Sequence, residues 1–125
     1  MKVPHILIVD DEPNIVMSLE FLMRKNGYQV GIARNGTEAL AAIAHTPYDL
    51  VLLDVMMPDV DGYQVCQQLR ARPDAVGTKV IFLSAKSRDA DVKKGYDVGA
   101  DLYIPKPFST RQLMEKVREL LAIAV

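Results

Sequence analysis

Three runs of four apolar residues, Ile6–Val9, Leu50–Leu53 and Val80–Leu83, carry no polar alternation. A strand with one wet face alternates, whereas a strand covered on both faces does not. These runs therefore predict the central strands of a parallel sheet. Val30–Ala33 and Leu102–Ile104 are weaker runs and predict further strands nearer the edges. Between the strands the apolar period lengthens. Ile15, Leu19 and Leu22 recur at i, i+4 and i+7 behind Pro13, which suits a first helical turn. Leu40 and Ile43 mark a second helix over Thr37–His45, and Val65 and Leu69 a third. Val92 and Tyr96 mark a fourth, and Leu113, Val117, Leu120 and Leu121 a fifth. Ser109-Thr110-Arg111-Gln112 opens the fifth helix as a capping box, in which Ser109 and Gln112 can satisfy two free backbone donors. Strand and helix alternate five times, which implies an open parallel α/β sheet with helices on both faces.

At 125 residues the chain reads as one domain. The longest apolar runs, Ala39–Ala44 and Leu120–Val125, have six residues each, against about 18 for a membrane span. The N-terminus has one Lys, four apolar residues and then two aspartates, too short an apolar stretch for an export signal. A cytoplasmic protein is expected. Fifteen Lys and Arg against sixteen Asp and Glu leave −1, with no basic excess for nucleic acid. One cysteine excludes an internal disulfide and a Cys-rich zinc site.

In open α/β sheets, ligands sit outside the carboxyl ends of the strands. The first strand is followed by Asp10-Asp11-Glu12, the third by Asp54, the fourth by Ser84 and the fifth by Lys106 between Pro105 and Pro107. Three clustered aspartates repel one another, so without a cation at least one should have a raised pKa. Hard oxygen donors without His or Cys select Mg²⁺, or Mn²⁺ or Ca²⁺, over zinc. A carboxylate beside such an ion and a lysine can attack phosphorus and become an aspartyl phosphate. A plainer reading stays open for Asp11, as a helix cap before Pro13. Asp59 and Asp61 read as turn or cap residues.

The chain resembles the receiver domain of two-component response regulators. The resemblance rests on Asp10-Asp11-Glu12, on Asp49–Asp54 followed by Met57-Pro58 and Asp61-Gly62, on Ser84-Ala85, on Gly99-Ala100-Asp101 and on Lys106-Pro107-Phe108, in that order and spacing. It implies a doubly wound, flavodoxin-like sheet of five parallel strands in the order 2-1-3-4-5, with five helices. It also implies that Asp54 is the phosphoacceptor and that Asp11 and Asp54 ligate Mg²⁺ directly, with Asp10 acting largely through water. The Met56 carbonyl would complete the protein ligands. Lys106 would contact the phosphoryl oxygens, and the Lys106–Pro107 peptide would be cis. The implied partner is a histidine kinase or phosphotransfer protein. Chemistry would be limited to Mg²⁺-dependent self-phosphorylation and self-dephosphorylation rather than enzymatic turnover.

By the same resemblance, Ser84 would donate to a phosphoryl oxygen and draw its loop inward. Tyr103 would turn in behind it, and the face built from the fourth helix, fifth strand and fifth helix would change for a downstream protein partner. Tyr103 also reads as an edge-strand aromatic that only packs. Met56 and Lys86 flank the path of an attacking water and offer it no carboxylate or amide, so slow to moderate self-hydrolysis is expected. Lys86 equally reads as a solvated loop lysine. Lys94, Asp101 and Lys116 suit a dimer charge network, but Leu102 and Gln112 leave it incomplete; a monomer or weak phosphorylation-dependent dimer is expected. Cys66 reads as a packing residue, His5 and His45 as non-ligands, and Lys93-Lys94 and Arg70/Arg72 as solvated charge pairs. The whole of 1–125 is taken up by the receiver pattern, so no output domain is expected in this chain. It would be either a stand-alone receiver or one cut from a longer regulator. A small Asp-nucleophile phosphohydrolase is the competing enzyme class, but it needs a second acid where Met56 stands. A flavodoxin-type cofactor binder needs a phosphate loop where Asp10-Asp11-Glu12 stands.

Overall fold

The computed structural model describes residues 3–123. Five strands, β1 (His5–Val9), β2 (Gln29–Ala33), β3 (Leu50–Leu53), β4 (Lys79–Ser84) and β5 (Leu102–Pro105), alternate with five helices. These are α1 (Pro13–Lys25), α2 (Gly36–His45), α3 (Gly62–Arg70), α4 (Asp89–Asp97) and α5 (Thr110–Ile123). All strands pair in parallel, in the order β2-β1-β3-β4-β5. The three uninterrupted apolar runs form the middle of the sheet, and the two weaker ones its edges.

Strand alternation divides the core. Leu7, Val9, Val51, Leu53, Val80 and Phe82 face α2, α3 and α4. Ile6, Ile8, Leu50, Leu52, Ile81 and Leu83 face α1 and α5. Each side of the three central strands is therefore dry, which is why their sequence does not alternate.

The helix ends follow the expected chemistry in part. Ser109 Oγ accepts from the Gln112 N–H at 3.2 Å, the first half of the expected box. The reciprocal box forms at α3: the Asp61 carboxylate accepts from Gln64 N–H, and the Gln64 side chain accepts from Asp61 N–H. Asp61 is thus a cap, and Asp59 a turn residue with φ 67°. Asp11 does not cap α1; Glu12 occupies that position with no side-chain bond to the helix. Tyr96 does not point into the core as the fourth-helix pattern implied. It is exposed, and its hydroxyl accepts the Tyr103 N–H at 3.1 Å, satisfying an edge-strand donor.

Arg70 is also misread as a solvated charge. Its guanidinium donates to the Gly99 and Thr78 carbonyls and to Asp101 Oδ2, which in turn accepts the Val80 N–H. One side chain thereby ties the end of α3 to the starts of β4 and β5. Lys94 lies 4.6 Å over the Tyr63 ring, so it too contacts the fold. Cys66 is buried and pushed up to about 11 by that burial, as an unreactive packing residue should be.

Candidate functional site

The parallel arrangement aligns all five carboxyl strand ends on one edge. Asp10 follows β1, Asp54 follows β3, and Lys106 follows β5. Asp10, Asp11 and Asp54 each present a carboxylate oxygen within 4.8 Å of the other two. Asp10 and Asp54 are buried and Asp11 is exposed. Residues ninety-six positions apart thus meet: Lys106 Nζ donates to Asp10 Oδ2 at 3.0 Å, and lies 3.8 Å from Asp54 Oδ1 and 3.7 Å from Glu12 Oε1. Asp10 Oδ1 accepts the Glu12 N–H at 2.9 Å, which fixes the turn into α1. The Lys106–Pro107 peptide is cis.

Glycine keeps the site compact. A Cβ on Gly62 would stand 2.2 Å from the Asp54 carbonyl oxygen. Only a residue without a side chain lets α3 start against the β3 end, and Gly62 N–H donates to Val55 O there.

Electrostatics follow from burial and charge. Burial first, then the Asp10 charge and more weakly that of Asp11, outweigh the opposing pull of Lys106 and of the Met56 backbone N–H and together raise Asp54 to about 6. Burial works against the Lys106 ammonium, but the bond to Asp10 and the charges of Asp54, Asp10 and Glu12 outweigh it and hold Lys106 above the usual lysine value. Three carboxylates against one ammonium leave the cluster electron-rich. Its donors are all hard oxygens at the mouth of a cleft of about 300 Å³ lined by Asp11, Glu12, Asp54, Met56, Ala85 and Lys106. That donor set fits Mg²⁺, which binds through few carboxylates and keeps waters.

Ser84 and Tyr103 lie outside the lining of the cleft. Ser84 is fully buried, and its hydroxyl accepts the Lys86 N–H at 3.1 Å; Ala85, not Ser84, lines the cleft. Tyr103 is already inward. Its ring is buried with its centroid 5.7 Å from that of Phe82, and its hydroxyl donates to Lys86 O at 2.7 Å. The Met56 side chain is exposed beside the cleft. The Lys86 side chain lines a neighbouring groove with Met56, Met57 and Lys94.

The acidic triad and the lysine lie outside the carboxyl ends of a doubly wound parallel sheet, where open α/β proteins of this class bind their ligands. Residues 6–118 match the model of the response regulator receiver domain. The chain belongs to that family and is a receiver domain of the two-component response regulator type. It is 42% identical over 116 residues to the transcriptional regulatory protein ResD of Bacillus subtilis, covering 93% of this chain and 47% of that protein. It is 43% identical over 117 residues to the response regulator MprA of a Mycobacterium species, covering 94% of this chain and 50% of that one. The chain thus spans about half the length of these curated relatives. Among solved structures, a CheY-like receiver domain protein from Methanospirillum hungatei aligns with TM-score 0.91 at 33% identity, over 98% of this chain and 97% of that one. The receiver domain of a Pseudomonas aeruginosa sensor histidine kinase, solved with magnesium in its active-site cleft, aligns with TM-score 0.88 at 26% identity, over 97% and 99%. No helix among the described residues is long and apolar enough to cross a membrane.

Proposed function

We propose that this chain is a phosphoacceptor switch that takes a phosphoryl group from a phosphohistidine donor, on a histidine kinase or phosphotransfer protein, onto Asp54. The observation that carries the reading is the placement of a buried carboxylate within 3.8 Å of an ammonium and beside two further carboxylates. An oxygen of Asp54 forms the new P–O bond while the donor's P–N bond breaks. The departing imidazole keeps the electron pair and takes up a proton. Asp10, Asp11, Asp54 and the Met56 carbonyl would hold Mg²⁺, with Mn²⁺ as a substitute. When bound, that ion supplies positive charge to the phosphoryl oxygens and to the carboxylates around them. Lys106, anchored on Asp10, is aimed at the same oxygens.

The phosphoryl group adds about −1.5 to −2 charges and three acceptor oxygens. The Ser84 hydroxyl accepts the Lys86 N–H of the loop that must respond, and donating its own proton to a phosphoryl oxygen would draw that loop inward. Because Tyr103 holds Lys86 by its carbonyl, the loop and the α4–β5–α5 face are mechanically joined. A downstream protein reads that face. Met56 and Lys86 offer no carboxylate or amide to orient water, in keeping with slow to moderate self-hydrolysis.

The test is intact mass after incubation with Mg²⁺ and a small acyl phosphate. A single phosphoryl adduct, stable in acid and labile in base, is expected, and none in Asp54→Asn. Continuous phosphate release at enzymatic rates would instead support a phosphohydrolase. Absence of any adduct would leave an interaction module without the chemistry.

A further inference from the structure

We propose that Gly95 is a positioning residue for the switch: its missing side chain is the slot into which the Tyr103 ring turns. A Cβ at position 95 would lie 2.6 Å from Tyr103 Cδ2, 3.0 Å from Cε2 and 3.3 Å from Phe82 Cδ2. Real side chains do not approach this closely, so any residue larger than glycine must displace the ring or the helix. The helix is the harder of the two to move. Near its first turn, the Tyr63 hydroxyl donates to Asp91 O at 3.0 Å. Near its last, Tyr96 accepts the Tyr103 N–H, and Ala100 N–H donates to Gly95 O at 3.1 Å. The ring is held by one hydroxyl bond and by packing on Phe82. The ring gives way.

Gly95 costs α4 helix propensity, since glycine in a helix interior is less favourable than alanine. Its φ lies outside the left-handed region, because the positive-φ glycines of the described chain are Gly27 and Gly99. Backbone conformation therefore does not require glycine here; the ring does. The consequence runs to the site through two bonds. The Tyr103 hydroxyl holds Lys86 O, and Lys86 N–H holds Ser84 Oγ. Filling the slot releases Lys86, and with it the loop that follows Ser84. This regulatory role rests on Asp54 being the phosphoacceptor, whereas the slot itself does not.

The experiment compares thermal unfolding of four full chains: wild type, Gly95→Ala, Tyr103→Ala and the double variant. Gly95→Ala is expected to lower Tm where the ring is present and to raise it in the Tyr103→Ala chain, where alanine's helix propensity acts unopposed. A shift of the same sign in both backgrounds overturns the proposal. Proton NMR of the first two chains gives an answer even if Tyr103→Ala fails to fold. The cross-relaxation between the Tyr103 and Phe82 rings should vanish in Gly95→Ala, and its persistence overturns the slot. Beryllofluoride with Mg²⁺, as the phosphoryl mimic, tests the link to the site. Its affinity should fall in Gly95→Ala by at least the roughly fivefold of a modest coupling; equal affinity overturns the regulatory role. If the wild type binds no beryllofluoride, the phosphoacceptor reading fails, while the Tm and NMR results still decide the slot.

Discussion

At the scale of the residue, the site is a balance between burial and charge, and Asp54 shows its direction. Its folded pKa of about 6 lies above the 3.8 of an ordinary aspartate. Between those values the folded chain keeps a proton that the unfolded chain has released, so stability falls as pH rises from about 4 through 6. At pH 7 the ionised carboxylate costs about 2 kcal/mol after solvent screening. Asp54→Asn is therefore expected to be about 2 kcal/mol more stable than wild type in urea at pH 7. The difference should vanish below pH 4, and a gain independent of pH would refute the electrostatic cause. Mg²⁺ acts in the same sense on the wild type. At 100 times its Kd it should add about 2.7 kcal/mol to folding, reversed by chelator. Lys106→Ala should retain Mg²⁺ binding, since it removes a competing cation, yet lose the response of the α4–β5–α5 face to phosphorylation; partner-face NMR shifts would report this. The convergence of Asp10, Asp11, Asp54 and Lys106 was legible because Asp10 and Asp54 directly follow an apolar run and Asp11 and Lys106 lie one residue further on. Arg70 and Lys94 were not, because their partners Gly99, Asp101 and Tyr63 come from other elements and carry no spacing signal.

At the scale of the element, period decided which segments became helix and strand, and local chemistry decided where they end. The α3 start illustrates both success and loss. The Asp61-Gly62-Tyr63-Gln64 spacing is that of a capping box, yet a run of Pro, Asp and Gly reads equally as a turn. Structure decides, because Gly62 must enter the helix to pack on the end of β3. Asp61→Ala is expected to cost about 1 kcal/mol in urea unfolding, by removing one half of the box. Leu113, fully buried where α5 meets the sheet, should cost about 2–5 kcal/mol when cut to alanine. The fourth helix was legible as a helix but not in its facing. Tyr96 is spent on the backbone of β5, and Gly95, without apolar signal of its own, occupies the buried position.

At the scale of the whole molecule, strand order converts scattered residues into one site. The parallel topology brings the ends of β1, β3 and β5 to one edge, and this was readable from strand–helix alternation before any contact was known. What alternation could not convey is the seat of the Tyr103 ring, which is inward because slot, hydroxyl partner and ring are set by tertiary packing. Surface charge at this scale bears on association. Asp101 is held by Arg70 at 2.8 Å and Lys116 lies 3.5 Å from Glu119, so two candidates for a dimer network are engaged within the chain. Sedimentation should show a monomer before phosphorylation, with at most weak pairing after it. Hydride reduction of the acyl-phosphate-treated protein, followed by peptide sequencing by mass, tests most directly whether Asp54 is the phosphoacceptor. Reduction of an aspartyl phosphate turns that residue into homoserine. The expected result is homoserine at position 54 alone, formed with Mg²⁺ and abolished by chelator. Homoserine at Asp10 or Asp11, or none at any position with Mg²⁺ present, would contradict the assignment of Asp54 as the phosphoacceptor.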